Sequence, residues 1–249
     1  AMDKRAYMYG LPYEAYEKFK VRRYGFHGTS HRYVTGRAIA HLAEAGIAKE
    51  NARVITCHLG NGSSVSCSRG GKCVDTSMGL TPLEGPPMGT RCGSIDPAIV
   101  PFLMEKLKLT PAEMDTYMNK KSGMLGISGV SSDFRDLDAA SKEGNERAEL
   151  ALQMFAYKVK QYIGSYAAAL NGVDAIVFTA GVGENDRRMR EMILSDMDFL
   201  GVQVDFNYNA ECPRGEEVEL STKESKVHVY VIPTDEEMTI AHDTAALAL

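Results

Sequence analysis

No stretch of these 249 residues stays apolar for the roughly 18–20 residues that a membrane-spanning helix needs. The first residues lack the charged-then-apolar pattern of a secretory signal, so the sequence reads as that of a cytoplasmic protein with no membrane partner. Cysteine is scarce: Cys57, Cys67, Cys73, Cys92 and Cys212 are odd in number and scattered, with no Cys-x-x-Cys pair. That set excludes a disulfide framework and predicts free thiols in a reducing compartment. Positive charge is not in excess either. A net charge of −5 argues against nucleic acid or an anionic membrane as the main partner. A small anionic ligand would have to be met by local cations or by backbone amides. Internal repeats and low-complexity tracts are also missing.

What is present is ordinary for a globular domain, 44% hydrophobic and 24% charged, and long enough for a sizeable core. One stretch organises the rest: His58-Leu59-Gly60-Asn61-Gly62-Ser63-Ser64-Val65. It follows an apolar run, Val54-Ile55-Thr56-Cys57, and resumes as an alternating run, so it reads as strand, glycine turn, strand. A plain Asn-Gly hairpin accounts for it. The glycines would equally permit φ > 0 and a close approach of an anion to the amides.

A second glycine turn, Thr179-Ala180-Gly181-Val182-Gly183-Glu184-Asn185, follows a buried strand at residues 174–178 and is expected to lead into a helix near Asn185. A third strand is expected at residues 72–75, and another at 227–232. Between them, residues 77–97 hold four of the nine prolines and four glycines, a long irregular loop containing Met88-Gly89-Thr90-Arg91-Cys92-Gly93. Residues 122–132 read as another Gly/Ser loop.

Helices are expected at residues 32–45, capped by Thr29 or Ser30, and from Pro97 to Leu107, capped by Asp96. Another follows the capping box Thr110-Pro111-Ala112-Glu113. The longest spans residues 145–170, burying Leu152, Phe155, Val159, Ile163, Tyr166 and Leu170. The last opens at Thr234-Asp235-Glu236-Glu237, where three acids suit the helix dipole or a divalent cation. His27 and His31 are four apart, but Gly28 and the expected cap lie between them, which disfavours a shared metal.

Two glycine turns after buried strands, a loop arginine, a loop histidine and an acidic helix start fit a nucleotide phosphotransferase. The segments Arg22-Arg23-Tyr24-Gly25-Phe26-His27-Gly28-Thr29-Ser30-His31, Cys57-His58-Leu59-Gly60-Asn61-Gly62, Gly79-Leu80-Thr81-Pro82-Leu83-Glu84-Gly85, Gly89-Thr90-Arg91, Gly181-Val182-Gly183-Glu184-Asn185 and Val231-Ile232-Pro233-Thr234 together resemble the acetate kinase family, in its order and across nearly the whole chain. The resemblance implies an α/β fold of RNase H-like, actin/sugar-kinase type, with a five-stranded mixed sheet flanked by helices. It implies reversible phosphoryl transfer between ATP and acetate, giving acetyl phosphate and ADP, with Mg2+ or Mn2+ as cofactor and a homodimer as the assembly.

Carried onto this chain, the resemblance makes His27 and Arg91 the transition-state-stabilising pair. His58, Leu59, Gly60, Asn61 and Gly62 become the phosphate cradle. Asp133, Phe134 and Arg135, with Gly181, Val182, Gly183, Glu184 and Asn185, become the nucleoside-binding segments, and Glu236 the metal-associated carboxylate. Two departures stand out. Asp235 replaces a frequent Asn, and Arg91-Cys92-Gly93-Ser94 replaces a frequent Arg-Ser-Gly-Asp. Family members also extend further at the N-terminus, where they carry a catalytic Asp and a substrate Arg. The chain is therefore expected to be a C-terminal nucleotide-binding and dimerisation lobe (residues 26–249), preceded by a hinge segment (residues 1–25), and inactive alone. Rival readings are a propionate or other short-chain acyl kinase and a non-catalytic nucleotide-binding module. A metal-dependent hydrolase using His27, His31 and His58 lacks nearby carboxylate ligands.

Overall fold

In the computed structural model, which describes residues 2–248, two short helices, α1 (Lys4–Tyr7) and α2 (Tyr13–Phe19), lead into α3 (Gly28–Glu44). Three antiparallel strands follow: β1 (Arg53–Leu59), β2 (Ser63–Arg69) and β3 (Lys72–Thr76). Five helices come next: α4 (Ile99–Leu107), α5 (Pro111–Lys120), α6 (Gly123–Ser128), α7 (Phe134–Lys142) and α8 (Glu146–Leu170). Then come β4 (Ala175–Thr179), α9 (Ala180–Asn185), α10 (Arg187–Leu194), α11 (Phe206–Glu211), β5 (Val218–Glu219), β6 (His228–Val231) and α12 (Glu236–Ala248). The sheet order is β3-β2-β1-β4-β6-β5, with β1, β4 and β6 parallel.

This is the expected RNase H-like arrangement with one strand more than expected. The sixth, β5, is a two-residue edge pairing Val218 with Val231 and Glu219 with Tyr230. Two residues are too few to show a period of two in the sequence. Both faces of the sheet are covered, which is why β4 is apolar without alternation. On one face Val34, Ala38 and Leu42 of α3 pack against Val54, Ala175 and Val177. On the other, α8 buries Leu152, Phe155, Val159, Ile163, Tyr166 and Leu170, as its spacing predicts. Asn145 caps its start and Asn171, left-handed, closes its end.

Several boundaries differ from expectation. Helix α3 starts at Gly28 rather than residue 32, with His27 as its N-cap in the left-handed region at φ 58° and no side-chain cap. Ser30 is thus inside the first turn, and its hydroxyl bonds His58 instead of capping. The loop expected at residues 122–132 contains α6. Pro97 lies in the turn before α4, where Asp96 accepts from the Ala98 amide at 2.9 Å. Gly181-Val182-Gly183-Glu184-Asn185 is itself helical, as α9. The stretch from Phe199 to Glu219 holds α11 as well as β5. At α12 the cap is Asp235, which accepts from the Met238 amide at 2.8 Å, because the Thr234 hydroxyl is taken by Ser30.

The tyrosine-rich start docks on the rest of the chain. Arg22 stacks on the Tyr7 ring at 3.7 Å, Tyr9 bonds Glu84, and Arg23 reaches Glu84 at 2.7 Å. Leu11, Tyr13 and Phe19 of this segment stay more than half exposed.

Candidate active site

The β1–β2 hairpin pairs Leu59 with Ser63, so Gly60, Asn61 and Gly62 form its turn. Neither glycine has the positive φ expected of them. Their smallness serves close approach instead. A Cβ on Gly62 would lie 3.3 Å from Arg91 Nη1 and 3.6 Å from His27 Nε2. The hairpin tip, the loop arginine and the loop histidine therefore share one small space.

His27 is half-buried and backbone-strained, at a cost of about 1–3 kcal/mol for a non-glycine residue in the left-handed region. Its ring stacks on His58, centroids 4.0 Å apart and planes 18° apart. Its Nδ1 is 2.9 Å from Ser64 Oγ, and the same hydroxyl is 2.7 Å from His31 Nε2. His31 Nδ1 meets Thr56 Oγ1 at 2.7 Å. His58 Nδ1 meets Ser30 Oγ at 2.8 Å, and Ser30 accepts from the Thr234 hydroxyl at 2.9 Å. Burial holds all three imidazoles below their ordinary range: His31 and His58 to about 3, and His27 lowered further by the Arg91 charge. At neutral pH the cluster is uncharged apart from Arg91. Among the described residues no carboxylate pairs with Arg91, whose Nη1 touches only the Pro82 carbonyl and Met88 Sδ. An unneutralised guanidinium beside uncharged imidazole N–H groups is a site for an anion.

Beyond the hairpin tip a groove of about 920 Å³ opens, lined by Gly60 and Asn61, by Asp133, Phe134 and Arg135, and by Gly181, Val182 and Asn185. Three segments far apart in sequence, each expected to hold nucleotide, thus line one cavity. Arg187, Arg188, Arg214 and Lys142 add positive charge that the motifs did not announce. The other expected residues play different parts. Leu59 is fully buried, so only its main chain can face a ligand. Gly183 lets α9 pack on β1 and β4: its Cβ would lie 3.4–3.5 Å from the Phe178 and Cys57 main chain. Glu184 is occupied internally, accepting from the Ala180 amide at 2.7 Å and the Thr234 amide at 3.2 Å. The first amide of α9 is therefore spent within the protein.

Sequence reasoning missed Ser30, Thr56, Ser64 and Thr234, whose hydroxyls tie the histidines, and considered His31 only as a metal ligand. It also missed Arg190, 1% exposed, which donates at 2.9 Å to the Gly183 and Glu184 carbonyls and so fixes the end of α9. One signal was available. Ser64, Ser66 and Ser68 alternate along buried β2, placing three hydroxyls on one face of a core strand.

Among the described residues no three His, Cys, Asp or Glu side chains converge as a metal cage. Glu236, half-buried in the first turn of α12, remains as a single carboxylate, two residues beyond Thr234. One carboxylate fits a Mg2+ ion that keeps several waters and takes its other ligands from a polyphosphate.

Residues 1–242 match the family model described as the Acetokinase family. The acetate kinase of Methanosarcina acetivorans is 62% identical over 239 residues, covering 96% of this chain and 57% of that protein. The acetate kinase of Halothermothrix orenii is 58% identical over 246 residues, covering 99% of this chain and 61% of its own. Among solved structures, Porphyromonas gingivalis acetate kinase superposes with a TM-score of 0.95 at 51% identity, over all of this chain and 61% of that one. A propionate kinase from Francisella tularensis superposes with a TM-score of 0.89 at 39% identity, over 98% of this chain and 60% of that one. The chain spans about three fifths of the length of these relatives.

Proposed function

Because the chain belongs to the acetokinase family, we propose that it is the nucleotide-binding lobe of an acetate kinase, which moves a phosphoryl group between ATP and acetate. An acetate oxygen attacks the γ-phosphorus, the bond to the ADP oxygen breaks, and acetyl phosphate and ADP result. The observation that carries the reading is the convergence of His27 Nε2 and Arg91 Nη1 on Gly62, at the mouth of a cation-lined groove. The groove takes the nucleoside, and the hairpin tip takes the phosphates. His27 and Arg91 face the equatorial oxygens of the phosphoryl in flight, where charge spread over three oxygens needs fixed donors. A divalent cation held by Glu236 would screen the polyphosphate charge. The lobe's partner, in the two fifths of the relatives outside this chain, would supply the carboxylate pocket and exclude water, with residues 1–25 as the joint.

Two further points belong to this reading. Helix α4 has no buried residue although it is largely apolar, with Phe102 57% and Leu107 48% exposed, which suits cover by a second copy in a homodimer. Five free thiols suit a cytoplasmic location. The likeness to a propionate kinase supports a second reading, a propionate or other short-chain acyl kinase with the same lobe.

The test is fluorescent-ADP titration of the chain and of Asn61→Ala, with acyl phosphate formation assayed with and without the N-terminal two fifths of a relative. Binding weakened by the substitution, with turnover of acetate only in the mixture, is the expected outcome. A chain indifferent to nucleotide would be an assembly module instead. Turnover by the chain alone at the rate of an intact enzyme would refute the division of labour. Comparing acetate with propionate in the mixture decides the acyl group.

A further inference from the structure

Ser64 Oγ touches two imidazole nitrogens, His27 Nδ1 at 2.9 Å and His31 Nε2 at 2.7 Å. A hydroxyl has one proton to give, so one ring must donate to it and the other must accept from it. The direction is set one step further back. Thr56 Oγ1 is 2.7 Å from His31 Nδ1 and 3.4 Å from the Ser66 carbonyl. The short contact lies at the optimum for a hydroxyl donor and the long one at the limit, so the Thr56 proton goes to His31 Nδ1. His31 then carries its proton on Nε2 and donates to Ser64. Ser64 donates to His27 Nδ1, and the His27 proton is left on Nε2, the nitrogen that faces Gly62 and Arg91.

A second file of hydroxyls runs in the same sense. Thr234 donates to Ser30 at 2.9 Å, which leaves the Ser30 proton for His58 Nδ1 at 2.8 Å. His58 is thereby also an Nε2–H imidazole, stacked on His27 at 4.0 Å. Ser30, His31, Thr56 and Ser64 are buried, which shields the middle of both files from water.

We propose that His31, acting through Ser64, is a positioning residue that fixes His27 as the Nε2–H tautomer, so that the uncharged ring presents a donor to an anionic phosphoryl group. The proposal rests on the phosphotransferase reading for its purpose but on the hydrogen-bond file alone for the tautomer. The alternative, an Nδ1–H ring with a bare Nε2 lone pair toward the anion, would repel the group that the site is built to hold. Tautomer choice by the partner of the other ring nitrogen is the ordinary way in which histidines are set for chemistry.

The test uses 15N-labelled chain at about pH 8, above the ordinary imidazole range, where His27 is neutral. Two-bond 1H–15N correlation spectra assign the tautomer of each ring without any turnover. The expected result is a pure Nε2–H pattern for His27 and His31, whether or not the chain binds nucleotide. In Ser64→Ala, His27 should lose that purity and become a mixture of tautomers, and Ser64→Thr should restore it. A wild-type His27 carrying its proton on Nδ1 overturns the proposal, as does an unchanged Nε2–H pattern in Ser64→Ala. Even if the variants fail to fold, the wild-type spectrum alone can still overturn the proposal, by showing the His27 proton on Nδ1 or a mixture of the two tautomers. Nucleotide titration on the same sample tests the functional reading separately.

Discussion

At the histidine end of the candidate site, His27, His31 and His58 are tied by the hydroxyls of Ser30, Thr56, Ser64 and Thr234, and among the described residues no carboxylate takes part. Along the groove, Arg188 pairs with Asp138 and Glu149, Lys142 with Asp138, and Arg135 with Asp133, all on side chains open to water. The two ends meet at the hairpin tip but are built differently. Neutral, single-file bonds in a dry setting give directional order and tolerate no loss of a partner. Solvated ion pairs give a positive lining that can rearrange around a ligand such as the proposed nucleoside. On the proposed reading, the end that would hold atoms in line for transfer is the rigid one, and the end that would only hold a ligand is the loose one.

The largest expected effect comes from a glycine behind the rigid end. Gly123 has φ +61°, and a Cβ there would lie 2.0 Å from the Met88 carbonyl oxygen and 2.6 Å from that of Arg91. Backbone on the loop that carries Arg91 cannot swing aside as a side chain would. Gly123→Ala should cost about 2–4 kcal/mol in urea unfolding, the range of severe single substitutions. The control is Gly144→Ala, with φ +93° and nothing within 4 Å, which should cost only the left-handed strain, about 1–2 kcal/mol. Equal losses would mean that the Arg91 loop is not held as the structure has it.

Acid is the next probe. His31 and His58 are held at about 3 against an ordinary 6.5, so both are neutral in the folded chain where the unfolded chain would take up protons. A depressed folded value means full stability above about pH 6.5 and a loss that accumulates as pH falls toward 3. The slope is about 1.4 kcal/mol per pH unit for each imidazole. His58→Gln should flatten the slope by one such increment, read as urea midpoints between pH 6.5 and 4. An unchanged slope would mean that His58 is open to protons in the folded state.

The contrast between the two ends also explains what could be read from the sequence. The turn at Gly60-Asn61-Gly62, the buried strand before Gly181 and the long helix to Leu170 each carry a local pattern, and all three are where the patterns put them. The α9 helix and the start of α3 do not. Their boundaries are set by Glu184 and Ser30, which spend their side chains on partners fifty and two hundred residues away. The hydroxyl files were hidden for the same reason. A serine two residues before its strand's centre carries no mark of which histidine it will meet from another element. Arg190 reads as an ordinary surface arginine until its carbonyl partners are known.

The smallest expected effect is at Arg188. Its guanidinium reaches Asp138 at 2.7 Å and Glu149 at 2.6 Å, with the arginine 37% exposed. Removing it does not orphan either carboxylate. Asp138 keeps Lys142 at 2.6 Å, and Glu149 keeps Ser141 and, at 2.7 Å, Gln153. Arg188→Ala should therefore cost less than about 1 kcal/mol of stability, and part of that should vanish in high salt, where exposed charges are screened. The loose-groove picture breaks if the loss exceeds that of Gly144→Ala or ignores salt, because the ion pairs would then be organising the groove as firmly as the hydroxyls organise the histidines.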